Sequence, residues 1–206
     1  MIFATNNAGK ILELKAMLQS EGVKLITLSD LGLVFVAEET GRTFEENATI
    51  KAVETAEFLQ KNGIEGRIVF ADDSGLAIDA LNGEPGVDSA LFLGENTPYH
   101  VRNEKIIEML KNIPDEKRTA RFVCVIACRL PCGKILTTRG EVEGFISREQ
   151  KGENGFGYDP IFFLPKFSKT TAELSNEEKN KISHRGIAFA KMIEQLKTLG
   201  ALSPNP

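Results

Sequence analysis

No membrane-spanning run and no secretory leader can be read in this sequence. No apolar stretch approaches the roughly 20 residues that cross a bilayer. The opening Met1-Ile2-Phe3-Ala4-Thr5 lacks a basic start and a longer apolar run. No membrane contact is therefore expected. An excess of basic charge is also missing. The formal net charge is −4, which works against non-specific nucleic-acid binding, since that needs an electropositive face. There is no aromatic-basic stripe either, so no nucleic-acid partner is expected. Cysteine is scarce and odd in number, at Cys124, Cys128 and Cys132. The spacing matches no usual zinc site. Two of the three lie in an apolar run and read as reduced, buried core residues. The GxxxxGK[ST] phosphate loop is absent, as are internal repeats, low-complexity tracts and long linkers.

What is present fits a globular chain. Hydrophobic residues make up 42% and charged residues 26%, so disorder is not the default. The length allows one sizeable core and at most two lobes. With no break in composition, residues 1–200 are expected to form a single domain with two lobes, and 201–206 a C-terminal tail.

Residues 2–4 are a short buried strand by their apolar run, and residues 5–10 a loop. A helix to about Gln19 follows, with Ile11, Leu14 and Leu18 on one face. Thr43 with Glu46 forms a predicted capping box. Its helix runs to about Gln60 and ends at Asn62-Gly63. Asn47 and Lys51, four apart, share a face of it. Residues 68–71 and 76–81 are two predicted strands, the first apolar on both faces and so covered. Thr97-Pro98 predicts a helix start with proline at the first position. Residues 120–130 are a further buried strand, turned at 131–134 into a hairpin partner, and 141–146 extends the sheet. A glycine-rich loop over 152–157 leads into a strand at 161–163. Ser175 with Glu178 is a second capping box. A last helix over 185–199 buries Phe189, Ile193 and Leu196. Strands and helices alternate early and a hairpin comes later, which predicts an α/β fold with a mixed sheet.

Several stretches have the residue types of a phosphate or metal site. Asp72-Asp73-Ser74-Gly75 places two acids where a buried strand is expected to end, a common ligand position in α/β sheets. Adjacent residues on extended chain point to opposite sides, so one acid can face a ligand while the other holds the scaffold. Hard cations take carboxylate oxygens, and one or two suffice when phosphates supply the rest. By itself the pair is equally a polar turn. Thr5-Asn6-Asn7-Ala8-Gly9-Lys10 joins a strand to a helix start, where free N–H groups and the helix dipole favour anions and Lys10 adds a full charge. An ordinary capped loop has the same look. Glu38-Glu39 offers a further carboxylate or a solvated pair. Gly155-Phe156-Gly157-Tyr158-Asp159-Pro160 offers rings for base stacking and an acid to accept from ring N–H groups, or simply a bend with core aromatics. Ser183-His184-Arg185-Gly186, with Lys179 upstream, offers donors to a carbonyl or phosphate oxygen, or a helix cap with a surface arginine.

Taken together, these stretches and Phe44-Glu45-Glu46-Asn47-Ala48 resemble the inosine/xanthosine triphosphate pyrophosphatase family, in the family's order and over nearly the whole chain. The resemblance implies an elongated mixed sheet with flanking helices, two lobes around a nucleotide cleft. It implies Mg²⁺-dependent hydrolysis of ITP, dITP and XTP to the monophosphate and pyrophosphate, by a cytosolic homodimer that cleanses the nucleotide pool. Carried over residue by residue, Thr5, Asn6, Asn7, Ala8, Gly9 and Lys10 would hold the phosphates, with Lys51 nearby. Asp73 would be general base and metal ligand, and Glu38 a further ligand. Ser74 would touch substrate. Phe156, Gly157, Tyr158, Asp159, Lys179, His184 and Arg185 would hold the nucleoside, and Asp72 would support the turn. Leu91 stands where the family usually has arginine. A pyrimidine triphosphate pyrophosphatase and a non-catalytic nucleotide binder are the rival readings.

Overall fold

The computed structural model describes residues 1–19 and 23–202. From position 203 on, the expected tail lies outside the described residues. Among these residues, seven strands form one sheet: β1 (Ile2–Phe3), β2 (Ile26–Thr27), β3 (Val69–Ile78), β4 (Thr119–Arg129), β5 (Ile135–Ile146), β6 (Phe162–Leu164) and β7 (Lys169–Thr170). Their order across the sheet is β2-β1-β3-β4-β5-β6-β7. β1 runs parallel to β2 and β3, while β6 runs antiparallel to β5 and β7. The sheet is therefore mixed, as the alternation of elements predicts. Among the described residues, five helices accompany it: α1 (Ala8–Gln19), α2 (Phe44–Lys61), α3 (Tyr99–Met109), α4 (Asn176–Ile182) and α5 (His184–Thr198). Among the described residues, no helix is long and apolar enough to cross a membrane.

Three local expectations change. The two strands expected around the acid cluster are one: β3 runs unbroken through Asp72-Asp73-Ser74-Gly75. The acids sit within a buried strand and not at its end. Residues 5–10 are not all loop, because α1 begins at Ala8. The Asn7 side chain accepts from the Lys10 N–H at 3.1 Å, an N-cap bond that puts Gly9 and Lys10 in the first turn. At α3, Pro98 takes the N-cap position with extended backbone. The Thr97 hydroxyl precedes that position and donates to the Leu93 carbonyl at 2.6 Å.

Other signals are met as read. Both capping boxes form, Thr43 with Glu46 and Ser175 with Glu178. Each satisfies two N–H groups that a helix start leaves open. α2 ends at Asn62, followed by Gly63 at φ +75°, a left-handed conformation that suits glycine. Leu130 donates to the Lys134 carbonyl at 2.8 Å and closes the turn between β4 and β5.

The chain divides into two compact units. The first comprises Met1–Asp73, Cys124–Gly140 and Arg185–Pro206. Its core joins Leu14 and Leu18 of α1, Phe3, Phe70, Cys124, Ile126 and Cys128 of the strands, and Phe189, Ile193 and Leu196 of α5. Phe70 meets Phe3 and Phe189 with ring centroids 5.4 and 6.0 Å apart. Burying a side chain of this size stabilises by about 1.5–3 kcal/mol. The second unit comprises Ser74–Val123 and Glu141–His184. Its core holds Leu76, Ile78, Ile106, Leu110, Phe122, Ile146, Tyr158, Ile161 and Phe162.

Candidate active site

In the first unit, β3 presents Asp72 and Asp73 to different partners. Asp72 Oδ1 lies 3.0 Å from Lys10 Nζ, delivered by the first turn of α1. Asp72 Oδ2 lies 3.2 Å from Nε of Arg185, at the start of α5, and Arg185 also pairs with Glu13 of α1. The Cys124 thiol on β4 sits 4.0 Å from the same Asp72 oxygen. Asp73 Oδ1 instead accepts from Lys51 Nζ of α2 at 2.8 Å, and Lys51 reaches Glu39 at 2.9 Å. The alternation of a strand explains the split: neighbouring side chains leave it on opposite faces.

The two carboxyls differ in charge state as they differ in partners. The Asp72 side chain is fully buried. Burial alone would raise its pKa, but Lys10, Arg185 and Lys51 outweigh that and hold it well below the usual carboxylate range. At Asp73 burial wins. Its pKa is pushed up to about 6 against the pull of Lys51 and Lys10, with Glu39 adding to the rise. For Lys51, burial disfavours the charge, but Asp73 and Asp72 overcome it and raise the pKa. Burial pushes the Cys124 thiol up to about 12, so it stays a neutral thiol near neutral pH. One acid is thus a fixed charge and the other a group that exchanges its proton close to neutrality.

Asp73 also meets a simple test for a cation ligand. Among the described residues, its buried Oδ2 has no hydrogen-bond partner. A buried carboxylate oxygen without a partner is costly, and a hard cation is the ligand such an oxygen takes. Glu38 is exposed, and its backbone N–H donates to Glu54 at 3.3 Å. The carboxylate that meets Lys51 belongs to Glu39, the other half of that acidic pair. In the strand-to-helix loop, Thr5 Oγ1 accepts from the Asn7 N–H at 3.2 Å. Asn6, Asn7 and Ala8 are exposed. Ser74 follows Asp73 on β3 and is half-buried.

The second unit holds the other predicted group. The carboxylate of Asp159 is buried and its oxygens are in use. Oδ2 accepts from the Phe156 N–H at 2.8 Å and from Lys179 Nζ at 2.5 Å, and Oδ1 accepts from the Thr171 hydroxyl at 2.8 Å. Lys179 also stands 4.9 Å from the centroid of the half-buried Phe156 ring. Gly155 has φ +75°, and a Cβ there would collide with Asp159 Oδ2. Tyr158, expected to offer a stacking face, is buried. Its hydroxyl donates to the Ser89 carbonyl at 2.8 Å and its ring meets Tyr99 edge-on at 5.3 Å. Phe156 is the ring left at the loop surface. His184 stacks on Phe122 at 4.8 Å.

Sequence reasoning joined His184 and Arg185 as neighbouring base donors. The structure separates their surroundings: His184 lies against Phe122, while Arg185 is committed to Asp72 and Glu13. Glu13 was missed, although its place three residues after Lys10 on α1 puts the two on one helix face. Thr171 carried no local signal. Leu91 is exposed, so that position contributes no charge.

The chain matches the sequence profile of the Ham1 family over residues 1–195. It is 46% identical to a dITP/XTP pyrophosphatase of Desulforamulus reducens, covering 97% of this chain and 96% of the relative. It is also 46% identical to the dITP/XTP pyrophosphatase of Bacillus subtilis, covering 95% and 96%. The solved structure of the Staphylococcus aureus Ham1 protein superposes with a TM-score of 0.83 at 43% identity, covering 96% of this chain and 98% of that one. Identity at this level over nearly full length, together with the shared fold, makes the chain a member of the Ham1 family.

Proposed function

We propose that this protein hydrolyses the deaminated purine triphosphates ITP, dITP and XTP to the monophosphate and pyrophosphate. The observation that carries the reading is the acid pair of β3: a buried, charge-fixed Asp72 beside an Asp73 with a raised pKa and an unmet oxygen. A buried carboxylate with one oxygen held by Lys51 and the other open is placed to accept a proton from water.

Asp73 takes the proton of the attacking water, and Lys51 orients its carboxylate through Oδ1. Lys10, with the N–H groups of the first turn of α1 and the loop from Thr5 through Gly9, receives the phosphates. Lys10 neutralises charge that builds on the departing pyrophosphate. Asp73 and Glu38, with Glu39 alongside, would hold Mg²⁺. When bound, that ion polarises phosphate oxygens and stabilises charge on them. Ser74 contacts the substrate next to the base.

The purine goes to the second cluster. Phe156 stacks on it, a contact worth about 1–3 kcal/mol. The Gly157–Asp159 backbone shapes the loop, and Lys179 and His184 bring donors. Hypoxanthine and xanthine carry a 6-oxo acceptor where adenine has an amino group. A buried donor left unmet costs about 1–3 kcal/mol, or roughly ten- to hundredfold in selectivity. Guanine shares the oxo group and must be refused at its 2-amino group. Arg185 supports this chemistry by fixing Asp72. A homodimer, a cytoplasmic location and a role in cleansing the nucleotide pool rest on the family resemblance.

The test is product analysis. ITP with Mg²⁺ should give inosine monophosphate and pyrophosphate in equal amounts, and excess chelator should stop the reaction. Orthophosphate as first product, or turnover unaffected by chelator, contradicts the reading.

A further inference from the structure

α3 turns one polar face toward the glycine loop of the second unit. Tyr99, Arg102 and Asn103 fall at i, i+3 and i+4 and share that face. Arg102 and Asn103 are buried, an unfavourable place for polar groups without partners. Arg102 is occupied by the carbonyls of Ser89, Ala90, Gly94 and Glu95. Asn103 does something different. Its Nδ2 donates to the Gly157 carbonyl at 3.2 Å and to Gln150 Oε1 at 3.1 Å. Gln150 in turn donates back to the His100 carbonyl of α3 at 3.2 Å.

The Gly157 carbonyl is a sensitive point to hold. Gly157 has φ +70°, and glycine is the residue with the widest backbone freedom. Its carbonyl lies in the peptide plane that joins it to Tyr158. Fixing that plane fixes how the chain leaves Phe156 and enters Tyr158. Tyr158 is pinned from its other end by the Ser89 carbonyl and the Tyr99 ring. The loop is thus restrained on both sides of Gly157. Among the described residues, Asn103 Oδ1 is buried and accepts no hydrogen bond. An unmet buried acceptor opposes folding, so what favours an amide at this position is the pair of bonds from Nδ2.

We infer that Asn103 is a positioning residue for purine recognition, acting through the Gly157 carbonyl and steadied by Gln150. The inference rests on the reading that the Phe156 loop receives the base. Asn103 touches neither the substrate nor the reacting atoms. It sets the loop on which Phe156 is displayed, so its removal weakens binding of the preferred base while leaving the chemical step at Asp73 alone.

The experiment is steady-state kinetics on ITP and ATP, with thermal unfolding alongside. Asn103→Ala should raise KM for ITP about five- to tenfold with kcat within about twofold, the pattern of lost binding. The preference for ITP over ATP should fall by a similar factor. Asn103→Asp keeps the size but turns acceptors toward Gly157 and Gln150, and should shift both quantities further. Gln150→Ala lies outside the core and should shift them in the same direction by about twofold. Asn103 variants that lose thermal stability yet keep the wild-type KM and preference overturn the inference. If the Asn103 variants fail to fold, an unchanged KM and preference in Gln150→Ala overturns it. Phe156→Ala separates the underlying reading: a wild-type KM for ITP there removes the loop as base platform, and the role of Asn103 falls with it. A raised KM in Phe156→Ala with wild-type kinetics in the Asn103 variants rejects the Asn103 role alone.

Discussion

Asp73→Asn should slow ITP hydrolysis by about 10²–10⁴-fold in kcat, the range expected on losing a positioned general base, while the chain stays folded. The replacement has the same shape and can still accept from Lys51, but it removes the charge and the basicity and weakens the oxygen offered to the cation. The pH profile should change with it. Asp73 in the metal-free chain titrates around pH 6, raised first by burial, and a bound cation would draw that value lower. A base works when deprotonated, so wild-type kcat/KM should rise with pH through a limb at or below about 6 and then level. The variant should show no such limb. Stopped assays from pH 4 to 8 on both proteins measure this, and a variant with full turnover and an intact limb would remove Asp73 from the base role.

The second large effect concerns stability. Asp72→Ala should destabilise the protein by about 3–5 kcal/mol, because removing one member of a buried ion cluster strands the others. Lys10 and Arg185 both lose a partner whose side chain is fully buried, and Arg185 keeps its pairing with Glu13. For a chain of this size, each kcal/mol corresponds to roughly 2–4 °C in Tm, so a fall of about 6–20 °C is expected in differential scanning fluorimetry. The acid side gives a second check. A carboxyl whose folded pKa is depressed contributes stability above its unfolded value of 3.8 and loses it as pH falls toward the folded value. The gap between wild type and variant should therefore narrow below about pH 4. An unchanged Tm at neutral pH would show that Asp72 is not the electrostatic anchor of α1, β3 and α5.

How much of this was legible beforehand follows physical range. Thr43 with Glu46 and Ser175 with Glu178 could be read because a capping box is closed within four residues. The stripe of Phe189, Ile193 and Leu196 could be read because helical period places it on one face. The unbroken course of β3 could not. Asp-Asp-Ser-Gly has turn composition, and strands disfavour it. What keeps it extended arrives from afar: Lys51 lies 22 residues away and Arg185 lies 113. The task of Arg185 was hidden for the same reason, since its other partner, Glu13, is 172 residues distant. Tyr158 shows a further limit. Side-chain chemistry suggests stacking for any exposed ring, but only packing against Tyr99 and Ser89 reveals that this ring is enclosed.

The acid pair also shows how two adjacent, identical residues acquire separate tasks. Three cations and four carboxylates meet around them, Lys10, Lys51 and Arg185 with Glu13, Glu39, Asp72 and Asp73. Asp72 takes two of the cations and stays charged. Asp73 takes one, is next to Glu39, and keeps an oxygen open. The difference in pKa comes from that division of partners, and the two charge states suit the proposed anchor and the proposed base.

The most direct measurement of the central claim is kcat/KM for ITP, dITP and XTP beside ATP, read as pyrophosphate released in the presence of Mg²⁺. The three deaminated nucleotides should exceed ATP by roughly ten- to hundredfold or more, and equal values for ATP and ITP would contradict the account.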